Sequence, residues 1–174
     1  METNDLIKRI CDSALLHGEF TLRSGRKSKY YLDKYLFETQ PDILAELGRR
    51  FAEHVDDSID RLAGAELGGI PLVTATSMAA NKPSVLIRNQ RKDYGTAKQF
   101  EGTFNEGDRI LMVEDVVTSG GQVIEGAKVL EQQGVKIVKI VAVIDREEGG
   151  RENIEAAGYT FESLFTKTDL GITE

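Results

Sequence analysis

Two adjacent acids, Glu114 and Asp115, stand just ahead of the run Thr118-Ser119-Gly120-Gly121. Paired glycines let a backbone approach an anion closely, and hydroxyls add donors beside them. At the start of a helix, free N–H groups and the positive end of the dipole add to that attraction. This is phosphate-binding chemistry of a distinct kind. No Gly-Lys-Ser/Thr follows, so it is not a Walker loop, and it lacks the Gly-x-Gly-x-x-Gly spacing of dinucleotide sites. Adjacent carboxylates at the end of a buried strand repel each other and lose hydration, which is costly without partners. A ligand with both a phosphate and vicinal hydroxyls satisfies the whole set: the loop takes the phosphate and the acids accept from ribose hydroxyls. The plainer alternative is a helix N-terminus with acids favourably placed near its dipole.

Cations gather in two windows. Residues 23–29 hold Arg23, Arg26, Lys27 and Lys29 with no acid, and residues 88–98 hold Arg88, Arg91, Lys92 and Lys98 against Asp93 alone. The chain as a whole carries a net charge of −7. An acidic chain with two small basic islands points to a local site for a small polyanion, not to a nucleic-acid face.

The elements that must position these residues follow from apolar spacing. Leu6, Ile10, Ala14 and Leu15 predict a first helix ending near His17-Gly18. Phe20 to Leu22 and Tyr30 to Leu32, around a basic turn, predict a β-hairpin. Pro41 opens a helix with Ile43, Leu44, Leu47, Phe51 and Val55 on one face. A strand at Arg61–Ala65 leads into Glu66-Leu-Gly-Gly69, with a helix after Pro71. Ser84–Arg88 reads as a strand, followed by a polar stretch from Asn89 to Gly102. Arg109–Val113 is a continuous apolar strand of the sort buried on both faces of a parallel sheet. It meets the two acids, the glycine loop, a helix carrying Val123, Ala127 and Leu130, a C-cap at Gly134, and a strand from Lys136 to Ile144. A strand–loop–helix–strand unit makes the fold class α/β with a mostly parallel sheet, whose ligands bind at the carboxyl ends of the strands.

With 174 residues, 40% apolar and 29% charged, the chain is expected to be one globular domain, 1–174, that buries roughly 70% of its unfolded surface. Disorder, collagen and low-complexity readings are excluded. The longest apolar runs fall far short of the roughly 20 residues of a membrane span. The acidic N-terminus lacks an apolar signal core and Cys11 is the only cysteine, so a cytoplasmic protein is expected. Cys11 falls on a helical apolar pattern as a buried thiol. His17 and His54 are expected on helices, in structural or surface roles.

The stretch Ile110-Leu-Met-Val-Glu-Asp-Val-Val-Thr-Ser-Gly-Gly121 resembles the phosphoribosyl-pyrophosphate (PRPP) motif of type I phosphoribosyltransferases. Phe20-Thr-Leu-Arg-Ser-Gly-Arg-Lys-Ser28 with Tyr30-Tyr31 resembles the N-terminal hairpin of the orotate phosphoribosyltransferases. Gly64-Ala-Glu-Leu-Gly-Gly-Ile-Pro71 resembles their pyrophosphate loop, and Arg88 through Gly95 to Glu101-Gly102 their mobile catalytic loop. Asp145-Arg146 resembles the strand end that carries their orotate-binding arginine. These motifs run in order from about residue 17 to 150.

The resemblance implies a mostly parallel twisted sheet flanked by helices, with a small N-terminal hood. It implies conversion of orotate and PRPP to orotidine 5′-monophosphate and pyrophosphate, in pyrimidine synthesis. It also implies Mg²⁺ held mainly through PRPP and pyrophosphate, and a homodimer whose mobile loops reach into each other's sites. Carried over, PRPP is bound by Arg23, Arg88, Lys92, Glu114, Asp115, Val116, Val117, Thr118, Ser119, Gly120, Gly121 and Gln122. Arg88 and Lys92 come from the partner, and with Asp115 they are the catalytic residues. Thr118 and Arg146 bind orotate, Arg146 through its carboxylate. Three positions depart from the common pattern: Asn89 stands in place of a second lysine, Tyr94 of a histidine, and Gly68 of a pyrophosphate-loop lysine. The alternatives are a type I enzyme acting on a purine or another base, and a PRPP-sensing regulator without turnover.

Overall fold

The computed structural model describes residues 1–21, 25, 27–89 and 99–173. Helix α1 (Thr3–Ala14) leads into β1 (Leu15–Thr21) and β2 (Lys27–Leu32), which pair antiparallel as a separate two-stranded sheet. Two helices follow, α2 (Lys34–Glu38) and α3 (Pro41–Ala52). The main sheet then begins with β3 (Arg61–Ala65), α4 (Gly69–Ala80), β4 (Ser84–Ile87) and β5 (Phe100–Glu101). It continues with β6 (Arg109–Val117), α5 (Gly121–Glu131), β7 (Lys136–Asp145), α6 (Gly150–Ala156) and β8 (Phe161–Thr166).

Six strands lie in the order β5-β4-β3-β6-β7-β8, and every pairing is parallel except β4 with β5. The sheet separates two cores. On one side Leu111 and Val113 of β6 join Leu6, Ile43, Leu47 and Leu72 from α1, α3 and α4. On the other Ile110 and Met112 join Val123, Ala127 and Leu130 of α5 and Ile154 of α6. Alternate residues of one strand thus feed opposite cores, and full burial of such side chains contributes about 1.5–3 kcal/mol each. This is the α/β architecture with a mostly parallel sheet expected from the sequence.

Several local expectations are corrected. The first helix stops at Ala14, and His17 lies on β1 opposite Tyr30, because Leu15 to His17 pair with Leu32 to Tyr30. His54 lies in the turn after α3, not on a helix. The central strand runs through both acids to Val117, since β7 continues the ladder as far as Val117↔Asp145. Helix α5 is capped at Gln132, two residues before Gly134. Cys11 is half-buried, and burial pushes its thiol up.

Strand β3 and the start of α4 approach so closely that no side chain fits between them. A Cβ on Gly64 would collide with the Gly69 carbonyl oxygen and sit 2.9 Å from Val73 Cβ. Gly64→Ala should therefore lower stability by about 1–3 kcal/mol, the usual cost of overpacking. Urea denaturation checks this, and an unchanged midpoint would contradict it.

Candidate active site

The carboxyl end of β6 brings the two acids and the glycine loop together. Asp115 is 2% exposed. Its Oδ1 accepts from the Val116 N–H at 2.5 Å, and its Oδ2 lies 2.6 Å from Lys34 Nζ on α2. Glu114 Oε1 accepts from the Asp115 N–H at 3.0 Å. Burial and the Asp115 charge push the Glu114 carboxyl above its usual range. Burial works against the charge on Lys34, but the Asp115 carboxylate outweighs it and holds the ammonium above its ordinary range.

Two cavities meet at Glu114 and Gln122. One, of about 240 Å³, is lined by Lys34, Glu66, Leu67, Gly68, Arg88, Asn89, Glu114, Asp115 and Gln122 among others. The other, of about 330 Å³, is lined by Glu114 and by every residue from Val116 to Val123. Val117 is 2% exposed and packs in the core shared with α5 and α6. Gly120 caps α5 with φ +78°, a conformation that favours glycine, and a Cβ there would press on Ile154 at 2.9 Å. Asn153 Nδ2 donates to the Ser119 carbonyl at 2.9 Å and ties the loop to α6.

Arg146 follows the end of β7, where its N–H donates to the Val117 carbonyl at 2.9 Å. Its guanidinium donates to the Tyr30 hydroxyl at 3.0 Å, lies over that ring, and pairs with Glu148 at 3.1 Å. The hairpin and the main sheet therefore meet at Arg146. Arg88, expected to serve a partner's site, lines the cavity of its own chain, 3.7 Å from Glu101. Asn89 is held by its N–H donating to Glu66 Oε1 at 2.6 Å. Arg23, Lys92 and Tyr94 lie outside the described residues. A side chain at Gly68 would collide with Asp115 Oδ2, so the space a lysine would need there is already filled.

Sequence reasoning missed α2 and with it Lys34 and Glu38. The signal was Asp33, whose carboxylate accepts from the Tyr35 N–H at 3.2 Å as an N-cap. Five residues are too few for an apolar period to emerge.

The model of the phosphoribosyl transferase domain matches residues 36–164. An orotate phosphoribosyltransferase of Natronomonas pharaonis is 41% identical over 171 residues, covering 98% of each chain. The chain belongs to the orotate phosphoribosyltransferase family. A Mycobacterium tuberculosis orotate phosphoribosyltransferase, solved with Fe(III) dicitrate, superposes with TM-score 0.86 at 30% identity, over 96% of this chain and 97% of that one. A structure of that enzyme with PRPP gives TM-score 0.80 at 28% identity, over 96% and 97%. The type I phosphoribosyltransferase fold and the family implied by the sequence motifs are thereby shown.

Glu38 is buried at 1% exposure, and burial together with the Asp115 charge pushes its carboxyl up from 4.5 to about 8. Below about 4.5 both folded and unfolded chains hold this proton. As pH rises toward 8 only the unfolded chain releases it, so stability falls over that window. Glu38→Gln cannot titrate, and its melting temperature relative to wild type should climb between about pH 5 and 8, by roughly 2–4 °C per kcal/mol. Calorimetric scans at both pH values check this, and parallel slopes would contradict it.

Proposed function

We infer that this chain transfers the 5-phosphoribosyl group of PRPP to orotate, giving orotidine 5′-monophosphate and pyrophosphate. The observation that carries the reading is the junction of the two cavities, where buried acids and a phosphate-type loop meet at one strand end. In this reading the 5′-phosphate lies on Thr118 to Gln122, where the N–H groups at the start of α5 converge. Glu114 and Asp115 accept from the ribose hydroxyls. Arg146, with Thr118, holds orotate, its planar fork matching the carboxylate in a way that lysine cannot.

Orotate's ring nitrogen attacks the anomeric carbon as the bond to pyrophosphate breaks. Positive character develops on the ribose and negative charge on the leaving oxygens. Arg88 and Lys92, with Arg23, meet that negative charge, and a closed loop that excludes water strengthens their effect. Mg²⁺, when bound, neutralises charge on the pyrophosphate. Among the described residues no group of three or more ligating side chains is arranged to hold an ion. In this reading the ion is held mainly by substrate oxygens and water, and no side chain of this chain is assigned to it.

Residues 1–174 act in this reading as one domain in a homodimer with shared active sites, in the cytoplasm. No helix among the described residues is long and apolar enough to cross a membrane. Neither nucleic acid nor membrane is a partner.

Orotate absorbance should fall when PRPP and Mg²⁺ are added, and uracil, adenine and xanthine should compete poorly. Turnover of another base in preference to orotate would overturn the reading. Arg146→Ala should raise KM for orotate about 10- to 100-fold, as the loss of a hydrogen bond between charged groups implies. KM for PRPP should change little, and equal effects on both substrates would make Arg146 structural.

Sharing of sites is tested by mixing. Lys92→Ala damages the donated loop and Asp115→Asn the receiving site. Under subunit exchange each heterodimer should regain about half of wild-type activity, because one of its two sites is whole. If mass spectrometry shows exchange and activity stays at the mutant level, Lys92 works within its own subunit.

A further inference from the structure

No step of the reaction engages Glu38. It ends α2 at 1% exposure, and neither carboxyl oxygen has a hydrogen-bond partner among the described residues. Buried acids are ordinarily paired or neutral. A Cβ on Gly68 would stand 3.1 Å from Glu38 Oε1 and would strike Asp115 Oδ2, so Glu38, Gly68 and Asp115 converge beneath the pyrophosphate loop. Lys34 lies one helical turn before Glu38 on α2 and gives its ammonium to Asp115 at 2.6 Å.

The charges acting on Glu38 are Asp115 and Glu114 from β6, and Lys34 and Asp33 from the start of its own helix. Helices α1 and α3 also pack on α2, and the Arg9–Asp42 pair that links them is exposed. Three acids therefore surround Glu38 with Lys34 as the nearby cation.

We propose that Glu38 is a positioning residue for PRPP that works as a neutral acid. Uncharged, it leaves Lys34 to Asp115 and so fixes the carboxylate that receives the ribose hydroxyls. Ionised, it competes for Lys34 and adds negative charge beneath the loop that receives pyrophosphate. This rests on the reading of the site as a PRPP site.

Burial holds the Glu38 carboxyl at about 8 in the free chain. Below that pH the proton is already in place, and PRPP affinity is flat. Above it, binding a polyanion requires proton uptake, and the dissociation constant rises by up to about tenfold per pH unit.

Calorimetric titration with PRPP and Mg²⁺ from about pH 7 to 9.5, in buffers of different ionisation enthalpy, reads both quantities. Wild type should take up protons and lose affinity above about pH 8. Glu38→Gln and Glu38→Met, which cannot titrate, should lack this loss, so that their PRPP affinity relative to wild type rises as pH climbs above about 8. A pH dependence in either variant matching that of wild type would give the titration to another group, such as Glu114, and overturn the proposal. Affinity lost equally at every pH would make Glu38 merely structural and overturn it too. If the variants fail to fold, wild type still tests the proposal, since absence of proton uptake above about pH 8 is equally fatal. Failure of wild type to bind PRPP at any pH would instead overturn the underlying reading of the site.

Discussion

Asp115 is 2% exposed at the end of a strand covered on both faces, and its charge is held there by Lys34 at 2.6 Å. That one ion pair sets the terms for its surroundings. A buried carboxylate needs a partner, and removing Lys34, itself about a third exposed, would leave that charge uncompensated. The partner comes from α2, a five-residue helix between the hairpin and α3. The N-terminal layer is thereby tied to the active strand by electrostatics as well as by the shared apolar core of α1, α3 and β6. With Asp115 paired and Glu114 half-buried beside it, both acids line the cavity at the strand end.

Close backbone approach is the second constraint, and it follows from the first. Asp115 Oδ2 occupies the place where a side chain at residue 68 would stand, so the loop between β3 and α4 comes this close to the acids only as glycine. The loop is tied on its other side by Glu66, which accepts from the Asn89 N–H, two residues past β4. The opposite cavity is built the same way, with Gly120 turning the chain into α5 and Asn153 holding Ser119. Rigid strand ends with short tied loops place donors and acceptors before a ligand arrives, which reduces the ordering cost of binding.

The parts of the molecule with strong local patterns were legible in the sequence. Arg109–Val113, the glycine loop and α5 follow from a continuous apolar run, two glycines and a helical period, and β3 was found at its true bounds. Local pattern failed where tertiary pairing overrode it. Glu114 and Asp115 mark a strand end by residue type, yet β7 carries the ladder two residues further because Val116 and Val117 have partners in Ile144 and Asp145. His17 sits at the end of a helical pattern, yet Tyr30 pairs with it in a strand. At the site, the acids and the loop were legible because their chemistry is local. Lys34, Glu38 and the Tyr30–Arg146 contact were not, since each acts across elements distant in sequence.

The central claim is that Asp115 recognises the ribose and not the diphosphate. Titration of Asp115→Asn with PRPP, and separately with inorganic pyrophosphate, tests it most directly. The account predicts PRPP affinity reduced by about 1–3 kcal/mol, the range for hydrogen bonds to a charged group, with pyrophosphate affinity nearly unchanged. Unchanged PRPP affinity, or an equal loss for both ligands, would contradict it.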